Sequence, residues 1–328
     1  MINRIVRNAN ILSVENSKDI LEKLNYYREY SSKGLHKLNN SELAELNSDF
    51  KFFFNLNISF FADTYPSPIY RITNNKKLYH GQKVKLQKVT DLIGPPEGLS
   101  KLGRCNLQGE SIFYAALDVN TAIWETQPQA GDYITLSEWK IKDGQQLNTH
   151  AIFHPEVTNI NQDSQNVYLN YINSKKKIDV DLSDSFHEIL KFFSEEFMKP
   201  IKEPGNINYL FSAIISSRLL QSEPDSNGFR IDAIMYPSIK RGYGISNFAI
   251  LNSLVFSKLD LVSITVIDVQ ETNYDEQNKT RNDLLKVSPL QVRITEFDYE
   301  NNKIIYNAEE ELRMAVELAK KYGRRSFL

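Results

Sequence analysis

The stretch GRCNLQGESIFYAALDVNTAIWE, residues 103–125, decides how the chain reads. It opens on a Gly-Arg-Cys-Asn loop that is rich in backbone donors and carries one fixed cation. The run Ser111 to Leu117 follows, apolar throughout, as a strand covered on both faces would be. Asp118 or Asn120 then offers an N-cap for a short helix that must end at Pro128. Loop, buried strand, capped helix: three changes of backbone within a short span place Arg104, Tyr114 and Glu125 on three different elements.

Outward from this stretch, the pattern on the N-terminal side is helical. Leu21, Leu24, Tyr27 and Tyr30 recur at spacings of three, and Leu43, Leu46, Phe50, Phe53 and Phe54 form a second stripe capped by Asn40 or Ser41. Tyr65-Pro66-Ser67-Pro68 breaks the pattern and reads as a linker. Short strands follow at Ile69 to Ile72 and Leu78 to Gln82, with Asn74-Asn75 as the turn between them. Beyond the Gly94-Pro95-Pro96-Glu97-Gly98 loop and the central stretch, Tyr133 to Ile141 alternates as a strand. Two helices are expected within 155–200 and another over Asn208 to Gln221. Ile231 to Tyr236, Phe248 to Leu251, Leu261 to Val269 and Leu290 to Phe297 read as strands, and Glu309 to Tyr322 as an amphipathic helix. The class is α+β, a mixed sheet with flanking helices. The expected division is a helical N-terminal region (1–65), a mixed α/β domain (66–275) and a strand–helix extension packed on it (276–328).

Composition narrows the function classes. The 328 residues are 41% hydrophobic and 24% charged, with 39 basic against 41 acidic side chains and a net charge of -2. That balance gives no general pull toward nucleic acid or an anionic membrane. One cysteine excludes a disulfide framework and a multi-thiolate metal centre. Residues 1–19 have no uninterrupted apolar core, and Phe52 to Phe61 is broken by Asn55 and Asn57, so neither a secretory signal nor a membrane span is expected. The expected compartment is the cytoplasm.

A second polar patch lies at Asp232-Ala233-Ile234-Met235-Tyr236-Pro237-Ser238, followed by Gly242-Tyr243-Gly244 and Asn247. Ser238 stands just past the carboxyl end of a buried strand, where ligand contacts gather. No Gly-x-Ser-x-Gly elbow surrounds it, which argues against a nucleophilic serine. Taken singly, Glu125 reads as a solvated helix residue, Tyr114 as core, Arg104 as one half of a surface pair and Ser238 as a turn residue. Their order along the chain is what carries information.

That ordered set, Gly103-Arg104-Cys105-Asn106, Gly109, Tyr114, Thr121-Ala122, Glu125, then Asp232, Tyr236-Pro237-Ser238 and Asn247, resembles the RES-domain family, named for its Arg, Glu and Ser. The likeness spans roughly residues 78–270. It implies an ADP-ribosyltransferase-like fold and an NAD-degrading toxin that breaks the nicotinamide–ribose bond by phosphorolysis or hydrolysis. NAD is then the substrate, phosphate a candidate co-substrate, and no cofactor or metal is required. It also implies an Xre-like antitoxin protein as a partner. Glu125, Arg104, Tyr114 and Ser238 take the catalytic positions, and Tyr79, His80, Asn106, Gly109 and Asn247 the substrate-binding ones. The family carries a further arginine on an early strand. Aligning that strand with Leu78-Tyr79-His80-Gly81-Gln82 puts His80 in its place, while Arg71 in Ile69-Tyr70-Arg71 is a competing register further upstream.

The chemistry is compatible with these residue types. Cleavage builds an oxocarbenium-like ribosyl cation and nicotinamide departs neutral, so one carboxylate and an anion-binding arginine suffice without paired carboxylates. Two other readings stand beside it: transfer of ADP-ribose to a macromolecular acceptor, and a non-catalytic nucleotide- or partner-binding module whose site has degraded at His80. His150 and His154 have helical zinc spacing but lie on a strand and turn, where residues four apart are ~13 Å from each other. Cys105 has no assigned base and reads as packing. Self-association, pocket cover and partner recognition are all open to residues 1–65.

Overall fold

The computed structural model describes residues 14–35, 39–54, 61–62, 68–158, 162–176, 180–201, 205–222, 224, 228–275, 277, 284–287, 292–307, 309, 313, 316 and 326–327. The linker expected at 65–68 and the helix expected over Glu309 to Tyr322 lie largely outside them.

Among the described residues, eight α-helices and thirteen strands with defined bounds follow one another along the chain. Helices α1 (Val14–Ser32) and α2 (Asn40–Phe54) precede strands β1 (Phe61–Ala62) and β2 (Ile69–Asn74). Then come α3 (Asn75–Leu78), β3 (Ile112–Ala116), α4 (Val119–Thr126), β4 (Tyr133–Ile141) and β5 (Thr149–Ala151). Helices α5 (Gln162–Lys175), α6 (Val180–Phe197) and α7 (Leu210–Leu220) lead to β6 (Ala233–Ser238), β7 (Gly242–Leu251), α8 (Val255–Lys258) and β8 (Leu259–Thr272). The short strands β9 (Leu285–Val287), β10 (Val292–Ile294), β11 (Phe297–Asp298), β12 (Lys303–Ile304) and β13 (Ser326–Phe327) complete the order. The main sheet runs β1-β5-β6-β7-β3-β2-β4-β8-β9-β13, with β10 also on β8. β5 and β6 are parallel and the other pairs antiparallel. The α+β class is therefore what the chain adopts.

The central strands carry apolar side chains on both faces because helices cover both. Along β3, Phe113 and Ala115 join one core with Trp139, Phe248 and Val167 of α5. Ile112 and Tyr114 point the other way, into a core built from α1, α2, α6 and α7. Phe50 of α2 sits in that second core with ring centroids 5.6 Å from Tyr27, 6.1 Å from Phe192 and 5.4 Å from Phe211. The N-terminal helices thus share a core with the domain. Their buried faces are Ile20, Leu24 and Tyr27 on α1 and Leu46 and Phe50 on α2.

One local expectation is overturned. Leu78 to Gln82 is not a strand. Asn74 accepts a hydrogen bond from Lys77 N and caps α3, which ends in a turn with His80 at φ 50. A capping side chain outcompetes the alternation seen in the sequence. Among the described residues no helix is long and apolar enough to cross a membrane.

His150 on β5 is 2% exposed, and its Nδ1 has no hydrogen-bond partner among the described residues. Burial pushes its pKa down to about 4. The unfolded chain therefore takes up a proton near pH 6.5 that the folded chain refuses until about pH 4. Stability is expected to be full above pH 6.5 and to fall by about 3 kcal/mol on going to pH 4 through this group. Urea denaturation across that range checks it, with a His150→Gln control giving a flatter profile. In a separate test, Phe50→Ala is expected to lower stability by about 3–5 kcal/mol in the same assay.

Candidate active site

Helix α4 delivers Glu125 to the sheet, and its position is set at both ends. Asp118 caps the start, accepting from Thr121 N at 2.9 Å, and Gln127 closes the end in a left-handed conformation, φ 41. Glu125 Oε1 accepts from Ser238 Oγ at 2.6 Å and from Asn247 Nδ2 at 2.8 Å. Ser238 ends β6 and Asn247 lies across from Tyr236 on β7. The carboxylate is therefore clasped by two strands. Arg241 reinforces the clasp. Its N–H donates to Ser238 Oγ at 3.1 Å, and its guanidinium donates to Asp118 and Thr121 at 3.0 Å each.

Glu125 faces a cavity of about 480 Å³ whose walls include Arg71, Arg104, Tyr114, Tyr236 and Asn247. That volume lies in the range of small-ligand sites. Tyr114 does structural work on its rim. Its hydroxyl donates to Asn106 Oδ1 at 2.7 Å and accepts from Cys105 N at 2.8 Å. Asn106 Nδ2 in turn donates to the carbonyls of Lys101 and Leu107, both at 2.8 Å. Gly103 is required by this knot, since a Cβ there would stand 2.5 Å from Asn106 Oδ1 and 3.0 Å from the Tyr114 hydroxyl.

The two arginines differ in what they hold. Arg104 donates through Nη1 to the Phe197 carbonyl and through Nη2 to that of Lys199, 2.9 Å away, and lies 5.1 Å over the ring of Tyr209. A cation at the carbonyl end of α6 is favoured by the helix dipole, so Arg104 fastens the loop to that helix. Among the described residues Arg71 is held through Nη1, which donates to the Tyr114 carbonyl at 2.8 Å, with the guanidinium 5.4 Å over Phe113. Its Nε is buried without a partner. Among the described residues no carboxylate pairs with it. Burial pushes its pKa down to about 10, which leaves it a cation at neutral pH. Gly94 lies beside it in a backbone conformation that favours glycine, φ 126, where a Cβ would crowd the Ile112 carbonyl at 3.3 Å and make only ordinary contact with Arg71 Nη2 at 3.6 Å.

The structure thus brings Glu125, Asn247, Tyr114, Asn106 and Arg104 around one cavity, with Ser238 behind Glu125 and off the cavity wall, so not all stand in the expected manner. Ser238 is fully buried and spends its hydroxyl on Glu125. Gly109 does not line the cavity; it closes a backbone turn with Gly98 and Ser100, the last of which does. Tyr79 and His80 do not line the cavity: Tyr79 donates to Asp91 and His80 is exposed in the turn after α3. The register on Arg71 is the one that reaches the site, because β2 runs beside β3 and ends before His80. Tyr209, just before α7, was not visible as a cavity residue from sequence; its proximity to Arg104 arises only through the packing of α6 and α7. Cys105 is fully buried with its thiol pKa pushed up to about 12, so it is no nucleophile at neutral pH. Among the described residues no group of His, Cys, Asp and Glu is placed to hold a metal.

A family model, the RES domain, matches residues 68–266, more than half of the chain. The chain belongs to the RES-domain family. The matched span of this RES-domain protein opens on the strand that carries Arg71 and includes Glu125, Ser238 and Asn247. A comparison with curated proteins finds no match to the chain.

Tyr114→Phe is expected to cost about 1–3 kcal/mol, because it leaves Asn106 Oδ1 and the Cys105 N–H without their shared partner. Gly103→Ala is expected to destabilise as well, since Asn106 is held by both its amide hydrogens and cannot withdraw. Denaturant titration of the two variants checks both.

Proposed function

We propose that this RES-domain protein cleaves the nicotinamide–ribose bond of NAD and acts as a toxin that depletes it. The observation that carries the proposal is the pairing, on one cavity, of a clasped carboxylate with an ion-pair-free guanidinium. As the bond breaks, its electron pair moves to the pyridinium nitrogen and nicotinamide leaves neutral, so no proton has to be supplied to it. Positive charge develops at the ribose C1′. Glu125, held in place by Ser238 and Asn247, stabilises that charge without reorganising. Arg71 takes the diphosphate, since a buried cation without a counterion is costly until an anion arrives. Tyr114 and Tyr236 supply apolar wall, and Arg104 holds the loop that carries Asn106. Water or phosphate then adds to C1′, giving ADP-ribose or its 1-phosphate. An Xre-like partner belongs to the same reading. The cavity mouth offers it Leu99, which is 73% exposed.

In the test, the folded protein is incubated with NAD in buffers with and without phosphate, and released nicotinamide is measured. Wild type is expected to release it. Glu125→Gln is expected to slow release by about 10²–10³-fold with an unchanged unfolding curve. Arg71→Ala is expected to act mainly through KM. No release in either buffer from folded wild type overturns the proposal, and the product formed separates phosphorolysis from hydrolysis.

A further inference from the structure

Asn247 is 3% exposed and lines the cavity, yet only one of its two polar atoms is engaged. Nδ2 donates to Glu125 Oε1 at 2.8 Å. The carboxylate only accepts here, so chemistry fixes which end of the amide faces it. Oδ1 is then left as a buried acceptor with no partner among the described residues. Such an atom is destabilising unless something donates to it. The neighbouring β6–β7 and β3–β7 ladders already serve the backbone of β7, and Ser238, the nearest hydroxyl in the clasp, is committed to Glu125. A donor arriving with a ligand would satisfy it.

The position of that acceptor limits what the donor is. Oδ1 belongs to the same amide that grips Glu125, so it lies within a side chain's width of the carboxylate. The other carboxylate oxygen, Oε2, is also an acceptor. Two acceptors on hydrogen-bonded side chains, one charged and one neutral, match two adjacent hydroxyl donors, which is the arrangement of a ribose cis-diol. A carboxylate or phosphate group offers no donor and is disfavoured there.

We propose that Asn247 is a specificity-determining residue whose Oδ1 accepts a hydrogen bond from one hydroxyl of the nicotinamide-side ribose, the other hydroxyl going to Glu125. This rests on the NAD-cleavage reading and refines it: the site selects a ribosyl over a deoxyribosyl substrate. Asn247 thereby has two tasks, holding the carboxylate and reading the sugar.

The test is a cycle of substrate against variant. Nicotinamide release, as kcat/KM, is measured for wild type, Asn247→Ala and Asn247→Ser with NAD and with its analogues lacking the 2′- or the 3′-hydroxyl of the nicotinamide riboside. A third analogue, carrying 3-acetylpyridine in place of nicotinamide, lacks the amide N–H. For the hydroxyl that Asn247 reads, wild type is expected to lose about ten- to hundredfold on its removal, and both variants to lose less than about threefold for the same change. The acetylpyridine penalty is expected to be equal in all three proteins. Comparing each protein with itself across substrates removes the variants' general loss from a loosened Glu125. The inference is overturned if wild type tolerates both deoxy analogues, if the deoxy penalties are the same in the variants, or if the acetylpyridine penalty is the one that collapses. Should the variants not fold, the wild-type analogue series alone still decides: a loss of less than about threefold with both deoxy analogues overturns it. NAD cleaved with no such discrimination sinks this inference alone, whereas no cleavage of NAD by wild type sinks the reading beneath it as well.

Discussion

The grip of Ser238 and Asn247 on one oxygen of Glu125 is the contact on which the arrangement of this site depends. A carboxylate at the end of a two-turn helix would otherwise sweep through several rotamers. Here a hydroxyl from the end of β6 and an amide from the adjacent β7 meet it, so both donors come from paired strands of the main sheet. The helix is in turn bound at its start through Asp118, which shares Arg241 with the same strand turn. Each part of this loop of contacts constrains the next, so α4 has little freedom to rotate or slide. Preorganisation of that kind is what allows one charged group to act on a developing cation without first being reoriented.

The wall opposite is built by a different device. Tyr114 uses its ring as cavity surface and its hydroxyl as a bolt through the Gly103–Asn106 turn. Arg104 then ties that turn to the carbonyl end of α6. Glu196, one residue from the Phe197 carbonyl, is 2% exposed, accepts from Ser31 Oγ of α1 at 2.8 Å and from Lys199 Nζ at 2.7 Å, and has its pKa raised chiefly by burial. The N-terminal helix therefore contacts the very stretch that anchors the site's loop.

Much of this was legible in the chain. The apolar run through Phe113, the cap at Asp118 and the stop at Pro128 foretold β3 and α4 because local chemistry and tertiary role agree there. The family likeness likewise picked out Glu125 and Ser238, which do meet. Legibility failed where two local signals competed. Leu78 to Gln82 alternates like a strand, but Asn74 is an effective cap and turned it into helix and turn, carrying His80 out to solvent. The arginine that reaches the cavity, Arg71, stood on the alternative register all along. A further gap concerns roles. Arg104 and Ser238 sit beside the cavity, yet the first is occupied by carbonyls of a distant helix and the second by Glu125. Neither partner is adjacent in sequence, so no spacing rule could have disclosed that these side chains hold the site in shape.

The packing of Phe50 against Phe192 and Phe211 bears on what the matched span 68–266 represents. It is a unit of recognisable sequence, but its core is not closed by its own residues alone. A chain cut at residue 68 would lose Ile20, Leu24, Tyr27, Leu46 and Phe50 from a shared core, baring the aromatic faces of α6 and α7 and removing the hydroxyl that solvates Glu196. The border drawn by inheritance and the border drawn by burial fall in different places, and in this protein the N-terminal helices belong on the inner side of the second.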